Sequence, residues 1–238
     1  MGIDILTKGW SFIPPVDARP VRGHSLCPKY GFLLGGRTID IVTNIEALLA
    51  GTQGSTLYSP TSARGFAGQA REHSATTDFD TLGLDSLVLP LADISIVLGY
   101  QKTDATARGS VAFGTATGTT SVCDGYIPFS DGITYWDYGG TAGTNRLTVG
   151  GLTFGDDIWA FTQGARGAEI WQNGILRASN AGVNTRVQGG TQFQLGKNNS
   201  QASDLAKWKF FWIYHRQLQI PEIARITMHP FCWVAPRS

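Results

Sequence analysis

Helix-favouring charge is scarce in this chain: its 238 residues hold only four glutamates and six lysines. With Lys+Arg 19 against Asp+Glu 18 the formal net charge is +1, and no block of like charge occurs. That excludes the electrostatic footprint of a nucleic-acid partner or an anionic membrane surface, because both need clustered basic residues. Cysteine is almost absent. Cys27, Cys123 and Cys232 are an odd, widely spaced set that fits neither a metal motif nor a disulfide framework. Long apolar runs are missing too, since the densest, Phe210 to Tyr214, falls far short of the ~18 residues of a membrane span. Met1 to Trp10 carries Asp4 and Lys8 in place of the apolar stretch of a signal peptide. Leu6 stands where a myristoylation signal wants Ser or Thr, so neither export nor lipidation is expected.

What is abundant is glycine, at 30 residues, together with threonine and aromatic residues, including seven Trp and twelve Phe. Ten prolines leave the Gly+Pro share below the roughly quarter of the chain that marks low complexity. This is the composition of an all-β chain with many turns. Period-2 alternation predicts strands at Ile94–Tyr100, Ser110–Gly114, Ile133–Asp137, Arg146–Val149, Asp157–Gln163, Thr191–Gly196 and Ala206–His215. Asn173-Gly174 between Glu169–Gln172 and Ile175–Ala178 predicts a two-residue type I′ hairpin, which needs positive φ at both central positions. A helix is expected over Pro221–Met228, closed by His229-Pro230, with a helical turn near Asn44 to Ala50. Trp159, Trp171, Phe193, Trp208, Phe210 and Trp212 are the candidate core between two packed sheets.

Residues 1–25 read as an extended arm interrupted by Pro14, Pro15 and Pro20, residues 26–229 as the sandwich, and residues 230–238 as a tail. Local contacts do not offset the cost of ordering such an arm, about 1 to 2 kcal/mol per residue. Assembly contacts are therefore expected at Trp10, Phe12, Ile13, Arg19 and Arg22 in the arm and at Phe231 and Trp233 in the tail.

The order of features from Asp157 onward resembles a known superfamily. It comprises a strand with Trp159, an Ile170-Trp171 strand, the Asn173-Gly174 turn, Phe193-Gln194-Leu195-Gly196, an aromatic strand Trp208 to Tyr214, and Arg216-Gln217-Leu218 leading into Glu222-Ile223-Ala224. This is similar to the concanavalin A-like lectin/glucanase superfamily, in its laminin-G-like branch. Gly65-Phe66-Ala67-Gly68 resembles the family's opening strands, so the likeness covers about residues 30–228. The fold implied is a jelly-roll β-sandwich with a short C-terminal helix. Pro230-Phe231-Cys232-Trp233, and an opening of the Pro14-Pro15…Arg19-Pro20 kind, look like features of tailed-bacteriophage structural proteins.

The resemblance implies fold more than activity, because the superfamily hosts lectins, glycosidases, adhesion modules and virion parts. Its glycosidases need two carboxylates close together on one strand. Here Glu46, Glu72, Glu169 and Glu222 are each isolated, and Asp78 and Asp80 have no glutamate in line. Glu169 reads as an outward residue of its hairpin strand. No Gly-x-Ser-x-Gly elbow occurs, His24, His73, His215 and His229 are scattered, and His73-Ser74 reads as a loop. Gly139 to Gly143 lies between strands with no helix N-terminus behind it, and so reads as a hairpin loop, not a phosphate cradle. Calcium is the one cofactor with candidate donors, Asp124, Asp131, Asp156 and Asp157, but these pairs read first as turns and no metal is expected. Sugar binding would use an exposed aromatic platform with polar flanks. Tyr135, Trp136 and Tyr138 on one strand, with Asn198 in a separate loop, are the candidates, although exposed aromatics on a sheet suit subunit contact equally and that reading of the strand is favoured over sugar.

The expected function is therefore that of a non-enzymatic bacteriophage virion protein: a capsid decoration, a head fibre or a tail-associated part. It would be made in the host cytoplasm, with other virion proteins and copies of itself as partners. The alternative is a virion-displayed lectin binding host surface glycan, and the third reading is a divergent glycan depolymerase.

Overall fold

A computed structural model describes residues 24–29, 92–102, 122–129, 131–187, 195–196 and 205–230 in full. It also describes strand backbone at 19–20, 30–33, 39–40, 45–46, 71–73, 80–82, 111–113, 193–194 and 234–235. In chain order the first strands are β1 (Arg19–Pro20), β2 (Tyr30–Leu33), β3 (Ile39–Asp40), β4 (Ile45–Glu46), β5 (Arg71–His73) and β6 (Asp80–Leu82). Then come β7 (Ile94–Lys102), β8 (Val111–Phe113), β9 (Cys123–Tyr126), β10 (Thr134–Tyr138), β11 (Arg146–Val149) and β12 (Asp156–Gly164). The last are β13 (Gly167–Gln172), β14 (Ile175–Asn180), β15 (Phe193–Leu195), β16 (Ala206–Tyr214), the helix α1 (Ile220–Met228) and β17 (Val234–Ala235). Each predicted strand is present within a residue or two at its ends. Two expectations fail: the segment expected to be helical contains β4, and His73, expected in a loop, ends β5 opposite Ala206.

Two antiparallel sheets face one another. The smaller runs β11-β10-β9-β8-β15-β6, and the larger runs β14-β13-β12-β7-β16-β2-β3-β4 with β5 also on β16. Between them lies a core of Ile96, Leu98, Tyr100, Trp136, Tyr138, Trp159, Phe161, Ile170, Trp208 and Phe211. The larger sheet is apolar on both faces. Its other face carries Val97, Ile158, Ala160, Trp171, Phe210, Trp212 and Tyr214, covered by Leu26, Leu218, and Ile223 and Ile226 of α1. Trp171, Phe210 and Trp212 thus belong to a second core beneath the helix and not to the inter-sheet core. Phe193 contributes strand backbone, and its side chain lies outside the described residues.

The Asn173-Gly174 turn has φ of 53° and 78°, the double left-handed geometry of a type I′ hairpin. α1 starts where Pro221 fits the first turn and the Gln219 amide donates to the Glu222 carboxylate at 2.8 Å. Arg19 and Pro20 of β1 pair antiparallel with Ala235 and Val234 of β17. The arm's expected contacts Trp10, Phe12, Ile13 and Arg22, and the tail's Phe231 and Trp233, lie outside the described residues, as does the Arg19 side chain.

Candidate functional site

Alternation along β10 decides which of its aromatics can meet a ligand. Thr134, Trp136 and Tyr138 point into the inter-sheet core, Trp136 with 1% of its surface exposed. The Trp136 indole donates to the Thr162 carbonyl at 3.1 Å. Burial, first of all, holds the Tyr138 phenol above its ordinary value. Trp136 and Tyr138 are therefore core residues and not platform residues, because two such rings gain more by burial than by contact with water. Tyr135 alone faces outward, half-buried. Asn198 lies outside the described residues.

Around Tyr135 the register of three strands assembles a compact cluster. Tyr135 lies opposite Tyr126 of β9 and Thr148 of β11, and Asp137 lies opposite Asp124 and Arg146. Tyr126, Phe129 and Tyr135 form an edge-to-face triangle with centroids 5.3, 5.9 and 6.1 Å apart. The Arg146 guanidinium sits over the Tyr135 ring, 4.6 Å from its centroid, a cation–π contact. The same guanidinium grips the buried Asp137 carboxylate bidentately, at 2.7 and 2.5 Å. The Tyr135 hydroxyl donates to exposed Asp131, whose other oxygen accepts the Ile133 amide at 3.0 Å. Backbone bonds from Gly132 to Phe129 and from Phe129 to Ile133 close this turn, so Asp131 is held in place.

The electrostatics follow from these contacts. For Asp131, slight desolvation works against ionisation, but the Tyr135 hydroxyl, the backbone amides and Arg146 outweigh it and hold the carboxyl below its usual value. The Tyr135 phenol is raised by its bond to Asp131 and by burial. Burial pushes Asp137 upward against the pull of Arg146.

The four aspartates considered for calcium do not converge. Asp124 accepts from the Tyr126 hydroxyl at 3.2 Å, and Asp131 accepts from Tyr135. Asp156 pairs with Lys209, and Asp157 accepts from Asn173 at 2.6 Å and Gln172 at 3.0 Å. Among the described residues no group of three or more His, Cys, Asp or Glu could hold a metal ion. Neither Cys27 nor Cys123 is in a disulfide, and burial pushes the Cys123 thiol far above its ordinary range. Glu169 is outward from the inter-sheet core, as expected, but it is not solvated. It is 5% exposed beneath the β16–α1 connection and bonded to Arg166, Thr162 and Trp171.

Tyr126 and Arg146 are brought to Tyr135 by strand register, and Phe129 and Asp131 by the turn between β9 and β10. The local signal in the sequence was the Asp131-Gly132 turn beside an aromatic strand.

No protein-family profile matches the chain. No curated protein matches it either. Solved structures do. The Botulinum neurotoxin serotype G binding domain is similar over 86% of this chain and 51% of its own, at 13% identity and a TM-score of 0.62. A Trypanosoma rangeli sialidase in complex with sialic acid matches over 85% of this chain and 33% of its own, at 12% identity and 0.58. Domain 4 of a GH43 extracellular arabinanase from Geobacillus stearothermophilus, in complex with arabinotriose, matches over 76% and 88%, at 13% identity and 0.52. What they share with this chain is the fold, an antiparallel β-sandwich. The chain spans only a third of the sialidase and half of the neurotoxin domain, so the likeness is one of fold. In this sandwich the Tyr135 cluster occupies the outer face of the smaller sheet, and the helix covers the outer face of the larger one.

Proposed function

We propose that this chain is a non-catalytic, lectin-like carbohydrate-recognition module that binds glycan on the outer face of β9, β10 and β11. The observation that carries the reading is the convergence at Tyr135 of an accessible aromatic ring, an exposed carboxylate held by its own turn, and a guanidinium fixed by Asp137. A ring offers a sugar's C–H face a contact surface, while fixed donors and acceptors orient its hydroxyls. Similarity of fold to domain 4 of an arabinanase, solved in complex with arabinotriose, supports it. Binding is favoured over hydrolysis because the glutamates on the described side chains are committed, Glu169 to Arg166 and Glu222 to Arg216. A glycan array probed with the parent and with Tyr135→Ala tests this. Binding lost at least tenfold in the variant is expected, and a blank array, or binding that survives, overturns it. Reducing ends released from a bound polysaccharide would overturn the non-catalytic part.

A second reading, an architectural bacteriophage virion protein attached through its arm and tail, draws support from the pairing of β1 with β17, which brings the two segments together. Protein lacking residues 1–23 should then fail to incorporate into particles. Normal occupancy would remove this reading.

A further inference from the structure

The charges around Tyr135 point to the class of glycan. Arg146 is the cation of the cluster, and its guanidinium is bound at two points by Asp137, so it reaches Asp131 only through space. Asp131 has no such partner within the cluster. Its carboxylate accepts a phenolic hydroxyl and a backbone amide, neither of which carries a balancing charge, and it is exposed. It cannot swing away, because the 129–133 turn is tied by its own backbone bonds and by the Ile133 amide. A ligand on Tyr135 therefore meets a fixed negative charge at the edge of the ring to which it binds.

We infer that the Tyr135 face selects uncharged, hydroxyl-rich glycans and discriminates against those whose contacting residue carries a carboxylate. This rests on the carbohydrate-binding reading above and adds its substrate class. A carboxylate is a good acceptor for sugar hydroxyls, so Asp131 contributes to neutral sugars the orientation that it denies to acidic ones. Asp131 is also held below the ordinary carboxylate range, so the discrimination persists into mildly acidic solution. Two unit charges ~6 Å apart in a water-like medium alter affinity by about threefold, and by more where the ligand excludes water.

The test uses matched glycan pairs that share one core, with and without a terminal carboxylated sugar, titrated against the whole protein. The acidic member should bind at least about threefold more weakly. Raising salt from about 0.01 M to about 1 M shortens the screening length from about 30 Å to about 3 Å and should bring the two members together. Asp131→Asn keeps the side chain's size and an oxygen to accept the Ile133 amide, while its NH2 can donate to the Tyr135 hydroxyl oxygen, and it should likewise remove most of the difference. Acidic members that bind as well as neutral ones, or a ratio unmoved by both salt and Asp131→Asn, overturn the inference while leaving carbohydrate binding intact. If neither member of any pair binds, the carbohydrate-binding reading itself falls, and this with it.

Discussion

Arg166 and Glu169 face each other across the tight turn from β12 to β13, guanidinium to carboxylate, with two bonds of 3.0 Å. The pair is a keystone and not an ornament of the surface, because the same guanidinium also donates to the Leu218 carbonyl at 2.6 Å. Thr162 at 2.8 Å and the Trp171 indole at 3.2 Å complete the carboxylate's shell. Gln217 ties the arrangement to the turn through the Arg166 amide and the Gly167 carbonyl, both at 2.9 Å. The lead into α1 is thereby fastened to the larger sheet. Removing the carboxylate leaves several donors buried without a partner, so Glu169→Ala should cost about 2 to 4 kcal/mol in denaturant unfolding. A change below 0.5 kcal/mol would show that the network is slack.

The same network gives stability a pH dependence. Burial opposes ionisation of Glu169, yet Arg166, Thr162 and Trp171 together hold its carboxyl below the ordinary 4.5, and Arg216 with the Gln219 amide does the same for Glu222. A carboxyl whose folded value is depressed contributes stability that is full above its unfolded value and lost as pH falls through the folded one. His215, lowered chiefly by burial, adds a loss that begins below 6.5. Asp137, raised by burial, acts with the opposite sign. Melting temperature should therefore fall first near pH 6 and again below pH 4.5. Glu169→Gln should flatten the second fall, and an unchanged profile in that variant would contradict the assignment.

The hairpin tip meets the helix. A Cβ on Gly174 would stand 2.7 Å from the Thr227 hydroxyl, and the residue has φ of 78°. Gly174→Val should cost about 1 to 3 kcal/mol from strain alone, and more from displacement of α1. Equal thermal melting of variant and parent would refute this account of the turn.

Trp136 and Tyr135 are neighbours with opposite fates. Trp136→Ala should destabilise the protein by about 3 to 5 kcal/mol, as for any large core truncation. Tyr135→Ala should leave melting within a few degrees of the parent while reducing glycan binding. Reversed outcomes would mean that β10 is turned over.

Pairing of β1 with β17 predicts a local effect at the ends. Deleting residues 1–23 should raise hydrogen exchange in the peptide covering 231–238 about tenfold and leave the β7, β12 and β16 amides unaffected. Slow exchange that persists in the tail would show that something else holds it.

How far the sequence reaches is visible in particular residues. Asn173-Gly174 announces its turn because few side chains tolerate positive φ, and Ile223 with Ile226 announce one face of α1 because helical spacing is local. Strand positions follow for the same reason: alternation is written along the chain, within a few residues. The chain by itself thus determined an antiparallel β-sandwich with one short terminal helix. It did not determine which face each aromatic buries. Trp171, Phe210 and Trp212 went to a second core because α1 folds back over the larger sheet, and the near-continuous apolar run Phe210–Tyr214 was the trace of burial on both faces. Glu169 became buried for the same reason. Two members of the Tyr135 cluster likewise arrive through register, since Arg146 reaches Asp137, and Tyr126 reaches Tyr135, once β9, β10 and β11 are aligned. Local propensity fixes where strands begin and end; contacts between strands arise from the joint burial of distant segments, and only the tertiary structure decides them.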